Sequence, residues 1–290
     1  MEVSVMVHPV RKSVIAGSWY PGNPSVLKRD IKKYFDAVVD AGVGAEDVVG
    51  LISPHAGYMY SGHVAAYSYK LVSGGRYDAV IVIGPSHRVA FHGASIVSRG
   101  GFETPLGIVP IAEDLAEKIK QSGGAVADIP QAHAQEHSVE IQLPFLQVAL
   151  GDFSFVPLVM GSQDRMTCYE LAGQIFEAVG DKNVLLIGSS DLSHFYHDHT
   201  ARRMDAIAVE HLKRFDADGL LRDIEEGVVE ACGGGPMAVV MIVAGRMKAR
   251  KALFLKYANS GDITGDKSSV VGYAAAAFCR SIREKTKDIS

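Results

Sequence analysis

Cysteine is scarce in this 290-residue chain: Cys168, Cys232 and Cys279 are the only three, an odd number, widely spaced and with no CxxC pair. That argues against a disulfide framework or a zinc knuckle and reads each as a free thiol. An excess of charge is missing too. The formal net charge is −4, 21% of the residues are charged, and no Lys/Arg block resembles a basic tail, so nothing marks a nucleic-acid partner. Long hydrophobic runs are absent as well. No uninterrupted apolar stretch reaches the roughly 18 residues a membrane helix needs, and the opening MEVSVMVHPVRKS holds too short an apolar segment for a secretory signal. The expectation is a cytoplasmic protein with no nucleic-acid and no membrane partner. Linkers rich in Pro, Ser or Gly, repeats and low-complexity tracts are not seen either.

What the chain does have is enough apolar residue, 48%, for a large core, arranged as alternating strands and helices. NPSVLKRDIKKYFDAVVDAG reads as a helix, with Asn23 as cap, Pro24 in the first turn and Gly42 as its close. A strand near 47–53, a helix over Ser61 to Val72 and a strand from Asp78 to Ile83 form a βαβ unit. GASIVSRGGFETPLGIVPI is extended chain with turns, and AEDLAEKIKQSG is helical. HSVEIQLPFLQVALG reads as a helix with Pro144 inside it, FSFVPLVMG as a strand and DRMTCYELAGQIFEAVG as a helix. After the strand at 183–189 come helices near 200–213 and 236–249, then strands in KALFLKYAN and SSVVGYAAAAF. The apolar runs lack strict alternation, as for strands covered on both faces. The fold class is therefore α/β: one domain over 1–290, with a mixed, largely parallel sheet and helices on both faces.

Three of the apolar runs break in the same way, each presenting a histidine after small residues: VVGLISPHAGY with His55, DAVIVIGPSHR with His87, and NVLLIGSSDLSHF with Asp191 and His194. In open α/β sheets ligands sit beyond the carboxyl ends of the strands. Neutral imidazole suits transition metals, and an open site needs only two or three protein ligands. A third, anionic ligand has four candidates. Cys232, in EACGGGPM, precedes what reads as a helix start, where the dipole favours thiolate. Asp191, Glu136 and Glu140 are the carboxylate alternatives.

QAHAQEHSVEIQLPF adds His133 and His137, which would share a face at i, i+4 if a helix began early. This block is not HExxH, so it does not read as a zinc protease. His137, Asp191 and His194 are candidate catalytic groups, His194 as proton donor or acceptor. Glu136 and His137 would otherwise steady a ligand's second nitrogen, and Asp191 would otherwise bond backbone amides in a capped turn. His197 and His199 in HFYHDH read as solvated. Trp19 and Tyr20 read as packing of the N-terminal segment, with a pocket lid as the other reading.

The blocks AGSWYPG, SPHAGYMYSG, GPSHR, ETPLG, EHSVEIQLPFLQ, SSDLSHF, CGGGPM and SSVVGYAA occur in this order over nearly the whole chain. Together they resemble the Memo family, the B component of the AmmeMemoRadiSam system. That resemblance implies a fold similar to the catalytic subunit of class III non-haem iron extradiol dioxygenases, with His55, His87 and Cys232 as metal ligands. It also implies iron(II), with copper as the alternative, because the dioxygenases have a glutamate where this chain has an oxidisable thiol. Three functions follow as expectations: a metal-dependent oxidoreductase acting on an unknown small molecule, a protein- or peptide-binding adaptor that kept the pocket, or an auxiliary subunit to AMMECR1-like and radical-SAM proteins. The chain lacks CxxxCxxC and so cannot itself hold the iron–sulfur cluster.

Overall fold

The computed structural model describes residues 9–39 and 47–281. In chain order the elements are β1 (Val10–Arg11), α1 (Pro24–Asp36), β2 (Val48–Ser53), α2 (Tyr58–Leu71), β3 (Ala79–Pro85), β4 (Ala94–Ile96), β5 (Gly101–Thr104) and β6 (Gly107–Pro110). They continue with α3 (Glu113–Gln121), β7 (Val126–Ala127), α4 (Pro130–Ala134), a 3-10 turn (Glu140–Gln142), α5 (Leu143–Leu150), β8 (Phe155–Met160), α6 (Arg165–Val179) and β9 (Val184–Ser189). The last part holds β10 (His194–Tyr196), α7 (Asp198–Arg214), α8 (Ala217–Glu225), α9 (Gly234–Arg246), β11 (Lys251–Asn259), α10 (Gly261–Thr264) and β12 (Val270–Cys279).

The main sheet is mixed. Its centre, in the order β2, β9, β3, β8, is parallel, while β12 joins β2 and β4 joins β8 antiparallel. Every residue of β2, β3, β8 and β9 is buried, which is why these runs carry no alternation: both faces are covered. Burying each Val, Leu or Ile there contributes about 1.5–3 kcal/mol. Neighbouring residues of β12 show the two layers. Gly272 lies against Asp205 of α7, whereas Tyr273 clusters with Val64 of α2 on the other face. Over the centre, α9 packs on β2, β9 and β3 and is itself covered by α6 and α8. A second sheet of β1, β5 and β6 carries the extended chain around residue 100.

Helix α1 forms as its sequence dictates: the Asn23 side chain accepts from the Val26 amide, Pro24 sits in the first turn, and Leu27, Ile31 and Phe35 make the buried stripe. It ends at Asp36, and the expected closing Gly42 lies outside the described residues. Three expectations need correction. Helix α2 starts at Tyr58, three residues before Ser61. Pro144 is not inside a helix but in the first turn of α5, where a missing N–H costs nothing. Helix α8 was not foreseen; it is capped by Asp216, whose side chain accepts from the Gly219 amide. Among the described residues no helix is long and apolar enough to cross a membrane.

Candidate metal centre and pocket

The loops beyond the carboxyl ends of β2, β3 and β9 meet at one cleft of about 720 Å³. His55, His87, His137, Asp191 and His194 line it, and Cys232 stands behind His55. Ligand atoms of His55, His87 and Cys232 all lie within 4.8 Å of one another. The three imidazoles are packed as a group: the His55 ring meets those of His87 and His137 edge-on at 5.1 and 5.4 Å, and His87 stacks on His137 at 4.5 Å.

Glycine brings the cysteine here. A Cβ on Gly233 would stand 2.2 Å from the Ser189 carbonyl oxygen and 2.8 Å from Ser190 Cβ, so only glycine lets this loop lie against the end of β9. Gln163 then clamps the turn, donating from Nε2 to the Cys232 carbonyl at 2.9 Å and accepting from the Gly235 amide at 2.8 Å. On the facing strand Gly84 does the same for the EHSVE segment: its Cβ would overlap Ser138, at 2.4 Å from Oγ.

Hydrogen bonds fix which ring nitrogen of each candidate histidine donates to the protein. Ser189 Oγ donates to the Ser138 carbonyl at 2.6 Å and accepts from Gln142 Nε2 at 2.7 Å. Its one proton is therefore spent, and at 3.0 Å from His55 Nδ1 it acts as an acceptor. His55 thus carries its proton on Nδ1 and turns an unprotonated Nε2 to Cys232 Sγ, 3.0 Å away. The Gln142 side chain is held in turn by Tyr69, whose hydroxyl donates to Oε1 at 2.6 Å. At His87 the Nδ1 lies 3.0 Å from Glu136 Oε1, and a carboxylate only accepts, so Nδ1 carries a proton and Nε2 is the ring nitrogen not engaged by Glu136.

Burial shifts several titratable groups here. It drives the His55 pKa well below its ordinary range, helped by His137 and His87, and takes His137 down to about 4. His194 is lowered by burial too, against the pull of Glu230, whose Oε1 is 3.6 Å from Nδ1. Burial works against ionisation of Glu136, but hydrogen bonds from the His87 ring and amide and from the Ser138 amide outweigh it and bring the carboxylate to about 2. For Asp191 burial wins, raising the pKa to about 7, although the amides of His55 and Ala56 donate to Oδ1 at 2.7 and 3.3 Å. The expected thiolate at Cys232 needs correction. Burial, then the Asp191 charge, push the thiol up, and the contacts that pull the other way, the Gly233 amide at the helix start among them, do not offset them; the Gly233 N–H also donates to Ser190 Oγ, and the Gly235 N–H goes to Gln163. Without a cation the group is a thiol, with the His55 nitrogen and the Asp191 carbonyl as its neighbours.

The other candidates separate cleanly. Glu140 is fully buried and accepts from Arg11, Ser13 Oγ, the Val14 and Ile15 amides and the Tyr20 hydroxyl. With its lone pairs taken it pins the N-terminal segment and is no ligand. His133 does not share a helix with His137, because α4 ends at Ala134. It is buried near Phe102, and neither ring nitrogen has a hydrogen-bond partner. Cys168 and Cys279 are core residues, and His197 and His199 are exposed. Trp19 does more than pack its own segment: its ring lies 4.3 Å from that of His137, and it lines the cleft.

Sequence reasoning passed over Ser189 and Gln142, which settle the His55 tautomer, and Glu230 behind His194. The only sequence signal for Gln142 was a polar residue in an otherwise apolar run.

A donor set of two imidazoles and a thiol suits a borderline or soft transition metal. Cys232 Sγ and His55 Nε2 stand 3.0 Å apart, with the His87 ligand atom within 4.8 Å of both. Comparison with known proteins agrees with the order of the sequence blocks. A family model described as Memo-like protein matches residues 11–277. A MEMO1 family protein of Methanopyrus kandleri is 36% identical over 93% of this chain and 99% of its own length. One from Thermoplasma volcanium is 36% identical over 94% and 100%, and one from Sulfolobus acidocaldarius 37% identical over 93% and 99%. Among solved structures, an uncharacterized protein from Escherichia coli K12 aligns with a TM-score of 0.47 and 14% identity, covering 78% of this chain and 99% of that one; this likeness carries no argument. The strand-end histidines and the glycine-held cysteine thus sit in a chain matched by the family model and by relatives along almost its whole length: it belongs to the Memo family.

Proposed function

We propose that this protein binds a redox-active transition metal through His55, His87 and Cys232, iron(II) foremost and copper as the alternative, and oxidises a small molecule held in the adjoining cleft. The observation that carries this reading is the pair of imidazoles, each engaged through Nδ1, with the unprotonated His55 Nε2 3.0 Å from the Cys232 sulfur and ligand atoms of all three residues within 4.8 Å of one another. When bound, the metal would supply a Lewis acid and an electron carrier with coordination positions left open.

The remaining groups have roles that follow from their surroundings. Cys232 releases its proton on ligation, so metal affinity rises with pH. Asp191, with Oδ1 committed to the two amides, keeps Oδ2 at the cleft and a pKa of about 7, so it can hold or release a proton at neutral pH. His194 turns Nδ1 towards Glu230 and is neutral above its lowered pKa, ready to accept a proton at Nε2. His137, neutral and stacked on His87, lends the cleft a flat, polarisable wall.

Anaerobic titration of iron(II) and of copper(I) into metal-free protein tests the reading. One tight site per chain is expected, with affinity reduced and preference shifted toward harder metals in Cys232→Ser. If Cys232→Ser, His55→Ala and His87→Ala all bound both metals as the wild type does, the assignment would be wrong. A wild type that bound neither would move the weight to the adaptor reading.

A further inference from the structure

We infer that the outer face of α6 is a contact surface between two copies of this chain, their α6 helices side by side and parallel about a twofold axis. The inner face of the helix is ordinary: Cys168, Leu171, Ile175 and Val179 are buried, and α9 and α3 pack against it. The outer face is not. Met166, Tyr169 and Phe176 are 76%, 36% and 37% exposed, with Gly173 between them and Gly180 as the cap. Positions 166, 169, 173, 176 and 180 are spaced alternately by three and four, which is the seam a helix presents to a second helix. Within one chain this seam faces water. Gly173 has no reason inside the chain either, because a Cβ there would meet only Arg246 Nη1, 3.5 Å away. A glycine weakens a helix interior, and the close approach of a second helix is what it would serve.

The charges beside the seam choose the partner and the direction. Glu170 and Glu177 lie on the flank towards α3, the first against the loop at Gly124 and the second in a surface hollow with Lys118. Arg165 and Arg246 lie on the opposite flank: Arg165 pairs with Asp218 of α8, and Arg246 closes α9 beside Gly173. Glu170, Glu177 and Arg246 have no ion-pair partner among the described residues. One flank is thus net acidic and the other net basic. Antiparallel pairing of two such helices sets like flanks together, acid against acid. Parallel pairing sets unlike flanks together, and a residue one place before the seam then meets the residue five places on in the other helix. Arg165 therefore reaches Glu170 of the second copy, and Arg246 reaches its Glu177. Met166, Tyr169, Gly173 and Phe176 each face their own copy across the axis. Three apolar side chains and two charge pairs make a small interface, so the association is weak and reversible.

This inference goes beyond the metal reading and does not rest on it. Sedimentation velocity of the full chain, from micromolar to near-millimolar concentration, tests it, and a reversible monomer–dimer equilibrium is expected. Phe176→Asp should weaken the dimer roughly tenfold or more. Arg246→Glu should weaken it several-fold at low salt, and Arg246→Glu combined with Glu177→Arg should restore the wild-type constant. Met166→Cys reads the direction. Parallel pairing brings the two introduced thiols together, so mild oxidation should link the chains beyond the wild-type background, whereas antiparallel pairing sets them at opposite ends of the seam. All four positions are exposed, so the variants should keep the wild-type circular dichroism. A monomer at every concentration would hand the seam to a different partner and overturn the inference. A dimer untouched by Phe176→Asp, a charge exchange that restores nothing, or no linkage through Met166→Cys would each overturn it too.

Discussion

Two buried polar regions flank the segment from His133 to Gln142, and they use the same residue types to opposite ends. On one side lies the seam under the N-terminal segment, where Arg11 donates to Glu140 and to the carbonyls of His133 and Glu136. On the other lies the cleft, where Glu136 holds His87, and Gln142 and Ser189 hold His55. At the seam the carboxylate's lone pairs are consumed by protein donors, and the His133 ring has no side-chain hydrogen-bond partner. At the cleft the carboxylate and the hydroxyl engage Nδ1, and the Nε2 of His55 keeps its lone pair, turned to the Cys232 thiol. Burial makes a histidine neutral in both places. Only a partner on Nδ1 fixes which nitrogen keeps the lone pair, and that difference separates a candidate ligand from a core residue.

The comparison can be broken by substitution, beginning where the effect is largest. His55→Ala or His87→Ala should abolish specific metal binding, a loss of about 100-fold or more in titrations of iron(II), whereas His133→Leu should leave it unchanged. Glu140→Gln removes one partner of a buried ion pair, and chemical denaturation should report a loss of about 3–5 kcal/mol. Trp19 emission should shift with it as the N-terminal segment loosens. Glu136→Gln keeps the shape but not the carboxylate behind His87; metal affinity should fall roughly 10- to 100-fold with the far-ultraviolet spectrum unaltered. An unchanged affinity there would show that His87 needs no such partner.

The smallest effect is set by pH. The His133 pKa is lowered by burial to about 4, below its unfolded value, so between these two values the unfolded chain binds more protons and stability rises with pH. From pH 7 to pH 4.5 this residue should account for a loss of about 2 kcal/mol, which His133→Leu would remove. Unfolding curves of both proteins at the two pH values measure it. Equal acid losses in the two would mean that His133 is hydrated in the folded state.

Much of this was legible from the chain itself. Strands covered on both faces announced themselves as unbroken apolar runs, and Asn23, Pro24 and the stripe Leu27, Ile31, Phe35 marked α1. The strand ends that present His55 and His87 were visible as well, because small residues interrupt the apolar runs there. Pro144 misled because a helix interior and a helix first turn look alike when a 3-10 turn leads into the helix. Helix α8 was missed because it is short and its apolar pair, Leu220 and Leu221, makes no long periodic stripe.

What the sequence by itself determined is local: which segments become strands and helices, where they stop, and which residues with metal-ligating or acid–base chemistry stand at the stops. Tertiary structure alone decided how those residues are charged and where they point. Cys232 meets His55 across 177 residues, and Asp191 meets the His55 amide across 136, distances no periodicity reports. The helix start that favoured a thiolate on paper is outweighed by burial, which depends on how many chain segments close over the sulfur. Trp19 became part of the wall because Glu140 ties the N-terminal chain down on either side of it and the Tyr58 amide donates to its carbonyl. Desolvation and hydrogen-bond partners are properties of the packed molecule, and they set the chemistry that the residue types merely permit.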